Sequence, residues 1–227
     1  MRLVFVHGMR QEHKSPADLR KTWQDALIAA WKAAELATPA YTLEMPYYGD
    51  VLNDLTEAVR DSTANVVTRG EGSPNTFTPL EEALIREMAS KEGISDAEIR
   101  AELGQEVVAR GPANWEWVQA MARLLESKVP GLGRIGLSFV RQVDAYLTRQ
   151  HIQEAVDDIV RPCLQGGPSV VVAHSLGTVV AYRLLRQERD AASAPLFVTV
   201  GSPLGISTVK QYLRPHHSKC RAASLTG

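Results

Sequence analysis

Cysteine is scarce in this chain, with Cys163 and Cys220 the only two in 227 residues. Two thiols make no disulfide framework and suit a reducing compartment. Charge of one sign is missing too, since 25 Lys and Arg stand against 26 Asp and Glu. That balance gives no electrostatic reason to bind nucleic acid or an anionic membrane surface. No apolar run is long enough to cross a bilayer, so no transmembrane segment is expected. A single basic residue, Arg2, precedes the first short apolar run, and no small-residue cleavage site follows. A secretory leader is therefore not expected, and the location read from the sequence is cytoplasmic.

What is present suits a globular domain. Hydrophobic residues make up 44% of the chain, and its length is ample for a sizeable core. Leu3–Val6 is a short β-branched and aromatic run that stops at His7-Gly8, as a strand buried on both faces does. After Asp18, a plausible N-cap, Leu19, Trp23, Leu27 and Trp31 recur every four residues and predict a helix to about Leu36. Tyr41–Tyr48 reads as a second strand, irregular at Pro46. The spacing then predicts helices over Val51–Val67, Pro79–Ser90, Ser95–Leu103, Trp115–Lys128 and Phe139–Val160. Loop-like stretches fall at Gly70–Pro74 and Pro130–Gly133. Ser169–Ala173 is the clearest strand, helical sequence resumes at Leu176 and lasts to about Gln187, and Leu196–Val200 is a fourth strand. Strands alternating with helices predict an α/β three-layer sandwich on a mainly parallel sheet.

The segment Val170–Ala181 carries the most chemistry. It passes from strand to helix with one polar turn, His174-Ser175, and no spare residue. A serine at such a turn projects above the sheet edge. The residues two before and two after it come close together and must be small, and here they are Ala173 and Gly177. The helix beginning at Leu176 aims free N–H groups at the site, where they can stabilise an oxyanion.

This strand–elbow–helix unit resembles the α/β-hydrolase family, in its lipase and esterase branch, whose elbow is G-x-S-x-G. Ala173 stands in the first glycine position. Val4–Met9 resembles the family's early His-Gly loop, and Gly201-Ser202-Pro203 its strand end beyond the elbow helix. The resemblance covers residues 1–50 and about 140–210, within a single domain 1–227, and it implies the strand order Tyr41–Tyr48, Arg2–Val6, Ser169–Ala173, Leu196–Val200. The helical stretch of about 51–136 is expected as a cap insertion, with Trp115, Trp117, Met121 and Leu125 candidates to face an acyl chain or simply to pack. The resemblance implies a serine hydrolase acting on carboxylic esters, lipid or acyl esters among them, through an acyl-enzyme on Ser175. It implies an oxyanion hole from the backbone of Met9 and Leu176, with Arg10 and Gln11 as neighbouring donors. His7, Gly8, His174 and Gly177 would support the loop and elbow. No cofactor and no metal are called for, and the partner is a small-molecule ester or lipid.

The family's order is nucleophile, acid, histidine. After Ser175 the acidic residues are Glu188 and Asp190, placed beyond the elbow helix, and the histidines are His216 and His217. The chain is therefore expected to stop short of the family's last strands. That leaves a shortened gene product, a shortened expressed form, or an unusual base from His216 or His217 with Asp50 or Asp144 as acid. A catalytically impaired remnant that serves only as a binding module is the competing function. An apolar Leu196–Val200 edge strand is expected to drive self-association.

Overall fold

The computed structural model describes residues 1–68, 77–103, 115–130, 132–188 and 192–214. Its centre is a four-stranded, all-parallel sheet made of β1 (Arg2–Val6), β2 (Thr42–Glu44), β3 (Val170–His174) and β4 (Leu196–Val200), in the order β2-β1-β3-β4. That is the order the resemblance implies. Leu3 to Val6 are all buried, because both faces of β1 are covered.

On one face, Leu3, Phe5 and Leu43 pack with Trp23, Leu27 and Trp31 of α1 (Pro16–Ala33). Phe5 and Trp23 stand with ring centroids 5.2 Å apart. Ser15 caps this helix by accepting from the Asp18 N–H, so the cap lies three residues before the Asp18 expected from the sequence. On the other face, Val4, Val6, Val171 and Ala173 join the main core. That core takes in α2 (Gly49–Thr68), α3 (Pro79–Lys91), α4 (Asp96–Leu103), α5 (Trp115–Lys128), α6 (Leu132–Thr148), α7 (Gln150–Gln165) and α8 (Leu176–Gln187). A 3₁₀ turn, Pro203–Gly205, and α9 (Ser207–Tyr212) follow β4.

Three expectations need correction. β2 ends at Glu44 and not at Tyr48. Pro46 has no N–H to give a ladder, and the Tyr48 N–H goes to the His7 ring instead. The single helix expected over Phe139–Val160 is two, α6 and α7, parted at Arg149, whose backbone is extended. The buried positions of α6 include Val140, Val143 and Tyr146, and those of α7 are spaced as Ile152, Val156, Val160 and Leu164. Tyr146 and Ile152 are six residues apart and would fall on different sides of one straight helix, so the break lets both face the core. With no Pro or Gly at Arg149, nothing local announced it. α6 also begins at Leu132, inside a stretch expected as loop. The Gly70–Pro74 loop lies outside the described residues. Among the described residues, no helix is long and apolar enough to cross a membrane.

Candidate active site at the β3–α8 junction

β3 ends at His174 and α8 begins at Leu176, so Ser175 alone makes the turn. Its backbone sits at φ 52, ψ −128, a region that glycine adopts freely and L-residues do not. Such a residue stores strain of roughly 1–3 kcal/mol, and it persists only where its surroundings impose it. The surroundings are visible. The Ser175 N–H donates to Val200 O at 2.9 Å, which pins the turn to β4. The Thr178 hydroxyl donates to Ser175 O at 2.7 Å. The Ser202 hydroxyl lies 2.8 Å from the Thr178 hydroxyl, and Ser202 Oγ accepts from the Leu204 N–H at 3.2 Å. With its own proton committed to Ser175 O, Thr178 accepts from Ser202. A relay therefore runs from the Gly201-Ser202-Pro203 turn to the elbow carbonyl.

The loop after β1 closes on the elbow. A β-carbon on Gly8 would lie 2.6 Å from Ser175 Cβ and 2.8 Å from His174 O. One on Gly177 would lie 2.2 Å from His7 O and 2.4 Å from Val6 O. Both glycines are there because backbone and side chain leave no room for more. His7 is wholly buried. Its Nδ1 is 2.8 Å from Gly8 O, and its Nε2 accepts from the Tyr48 N–H at 3.1 Å. The Tyr48 hydroxyl donates to His7 O, and the two rings stack at 4.0 Å. Burial lowers the His7 pKa to about 4. A neutral ring with Nδ1–H donating and Nε2 accepting satisfies both contacts, so His7 ties the loop together. Tyr47 and Tyr48 also pack. The Tyr47 hydroxyl donates to Gln11 O at 2.7 Å.

Ser175 opens onto a cleft of about 800 Å³. Met9, Arg10, Gln11, Glu12 and Lys14 form one wall. Met88 from α3, Phe139 from α6, Pro203 and Ile206 form the apolar wall opposite. Arg10 has φ 57, so the chain turns sharply after Met9, and Gln11 Nε2 holds Met9 O at 3.0 Å. Leu176 is buried at the first position of α8, where N–H groups lack intrahelical acceptors. His174 lines the cleft beside Ser175. Its ring meets Trp23 edge-on, and burial lowers its pKa.

Of the four residues read as facing an acyl chain or packing, the three whose side chains are described pack. Trp117, Met121 and Leu125 are buried in the core, and the Arg86 guanidinium lies 4.0 Å over the Trp117 ring. The side chain of Trp115 lies outside the described residues. Met88 and Phe139 were not singled out, because only the packing of α3 against α6 brings them to the Ser175 cleft. Glu87 fixes that wall from behind. Its carboxylate accepts from the Ser207 N–H at 2.6 Å and the Thr208 N–H at 2.9 Å. Burial opposes ionisation there, yet these bonds hold its pKa down to about 2. Thr178 was also missed. Its one local signal is a threonine three residues after the serine, placed to bond back to the turn.

Acid and base are the open part of the site. Among the described residues, no side chain makes a hydrogen bond to Ser175 Oγ. His216, His217 and Asp190 lie outside the described residues. Glu188 sits at the far end of α8, about 18 Å along a twelve-residue helix, paired with Arg161 and Gln165. Asp144 accepts from the Thr78 hydroxyl at 2.6 Å, and burial raises its pKa. Asp50 accepts from the His13 N–H at 2.6 Å, a bond that lowers its pKa, and lies 3.0 Å from the Tyr47 hydroxyl, whose one proton it shares with Gln11 O. None of these three carboxylates lines the cleft. Among the described residues, no group of His, Cys, Asp and Glu could hold a metal ion. Comparison of the chain with protein-family models, with curated proteins and with solved structures gives no match.

Proposed function

We propose that this chain is a serine hydrolase of the α/β-hydrolase type, with Ser175 as the nucleophile toward a carboxylic ester. The observation that carries this reading is the φ of 52 at Ser175. It is a left-handed serine alone between a parallel strand and a helix, opening onto a cleft. A serine with only a packing role would gain nothing from that geometry.

In this reading Ser175 Oγ attacks the ester carbonyl and its proton passes to a base. The alcohol leaves with a proton, and water then releases the acid from the acyl-enzyme. The N–H groups of Leu176 and Met9 supply the oxyanion hole. The apolar wall of Met88, Phe139 and Ile206 accommodates the acyl part. His216 and His217 are the candidate bases.

A second reading has its own observation, the lack of a described hydrogen-bond partner for Ser175 Oγ. In it the chain keeps the hydrolase shell and serves as a binding module. A serine without its base keeps only what the oxyanion hole and binding supply, a loss of roughly a million-fold in rate. A fluorophosphonate probe on purified residues 1–227 separates the two. Labelling lost in Ser175→Ala supports the hydrolase. Labelling that survives this change removes Ser175 as nucleophile, and an unlabelled intact chain favours the binding module.

A further inference from the structure

We propose that the Ser175 cleft takes esters whose alcohol part carries an anionic oxygen group, a phosphate or a carboxylate, and that Arg10 is the residue that selects it. This deepens, and rests on, the reading of Ser175 as nucleophile toward an ester. That reading sets the acyl part against Met88, Phe139 and Ile206. The facing wall, the loop from Met9 to Lys14, is left to the alcohol. Among the described residues that wall carries two cations, Arg10 and Lys14, and one acid, Glu12.

Arg10 holds its place at a cost. Its φ of 57 is a conformation that glycine adopts freely and a long side chain does not. Glycine would relax the turn, so what arginine adds there is its guanidinium. The chemistry is close by. A β-carbon on Gly8 would lie 2.6 Å from Ser175 Cβ. Arg10 is two residues further on, at most about 7 Å of chain. Among the described residues its side chain makes no hydrogen bond and no ion pair. Its planar fork of N–H donors is therefore free to hold a carboxylate or phosphate through two parallel bonds.

Lys14 reinforces the sign of the charge. Its Nζ donates to Gln11 Oε1 at 3.1 Å, and Gln11 Nε2 donates to Met9 O at 3.0 Å. The ammonium is thereby tied to the residue proposed as an oxyanion donor. Burial is the main reason that the His7 ring stays neutral, and the Lys14 charge adds to it, so this charge is felt beside the elbow. The Glu12 charge is felt instead at Tyr47, whose pKa is raised first by burial and then by Asp50 and Glu12. The flank made by Gly201, Ser202, Pro203 and Ile206 brings no acid against a bound anion. From Ala191 to Gly227 the chain has Lys210, Arg214, Lys219 and Arg221, and neither Asp nor Glu. Glu87, behind the apolar wall, is committed to the Ser207 and Thr208 N–H groups.

The test is calorimetric binding of octanoyl esters to residues 1–227 carrying Ser175→Gly, which cannot turn them over. Ser175→Ala is the second form, and native circular dichroism is checked for every variant. The alcohols are ethylene glycol monophosphate, glycolate, methoxyethanol and choline, so two esters are anionic, one is neutral and one is cationic. The better anionic ester should bind more tightly than the neutral one by about tenfold or more, and the choline ester should bind least. Which anionic ester wins tells phosphate from carboxylate. Arg10→Gln should lower the anionic-to-neutral ratio by about threefold or more. Arg10→Gly, which relieves the turn, should do the same. Lys21→Gln, in an exposed pair with Asp25 on α1, should leave the ratio unchanged. A smaller preference than expected, no binding by any ester, or a ratio that both Arg10 variants leave in place overturns the proposal. Fluorophosphonate labelling of the parent chain is read separately. A labelled chain without the charge preference loses this inference and keeps the hydrolase reading. An unlabelled chain that keeps the preference loses Ser175 as nucleophile and keeps the anion site.

Discussion

A β-carbon placed on Gly177 would stand 2.2 Å from the carbonyl oxygen of His7. β1 and α8 meet there with nothing between them but a hydrogen atom. Gly177→Ala is therefore expected to push the two elements apart and to destabilise the fold by about 1–3 kcal/mol, with loss of any probe labelling of Ser175. Gly205→Ala is the control, since nothing lies within 4 Å of its added carbon. Urea unfolding of both variants checks this, and equal midpoints would contradict it.

The backbone of Ser175 makes a prediction that does not depend on turnover. At φ 52, ψ −128, glycine is unstrained and alanine is not. Ser175→Gly is expected to be more stable than Ser175→Ala by about 1 kcal/mol, after allowing for glycine's greater freedom in the unfolded chain. Thermal unfolding of the pair measures the difference. An alanine variant as stable as the glycine variant would mean the elbow holds no strain.

Thr178→Val keeps the shape of a buried side chain but removes the hydroxyl joining Ser202 to Ser175 O. The Ser202 hydroxyl loses its acceptor while Ser175 O keeps the Thr178 N–H at 3.0 Å, at a cost of about 1–3 kcal/mol. Thr178→Ser should restore most of it. Probe labelling of Ser175 should slow in the valine form and recover in the serine form. Labelling at the parental rate in the valine form would reduce the relay to packing.

His7 should give a pH signature. Its pKa falls from 6.5 to about 4, chiefly through burial. Between those values the unfolded chain binds the extra proton and the native chain does not, so stability rises with pH. The contribution is complete above about pH 6.5 and is lost as pH falls toward 4, by about 3 kcal/mol. His7→Gln should lower stability at neutral pH and flatten the curve between pH 4 and 6.5 by that amount. Parallel curves for parent and variant would show that His7 is not the titrating group.

Most of the sheet was legible because its strands are short apolar runs with sharp ends. Leu3–Val6 and Ser169–Ala173 announce themselves, and the elbow is written in consecutive residues, Ala173 through Gly177. The small residues around Ser175 could be anticipated because one tight turn, local to the chain, demands them. β2 was overread at Tyr47 and Tyr48, whose apolar rings suit a strand. Only the fold shows that Tyr48 spends its N–H and hydroxyl on His7, forty-one residues away.

The amino-acid sequence by itself determined the parallel sheet and the serine at the turn, since each follows from patterns within a few residues. Tertiary structure decided what surrounds that serine. The Thr178–Ser202 relay joins residues 24 apart, and the Met88 and Phe139 wall depends on how α3 packs against α6. Trp117, Met121 and Leu125 have the same apolar character as that wall, yet they are buried in the core. Apolar spacing says that a helix face will be covered. Which partner covers it is settled only when all the helices compete for the same core.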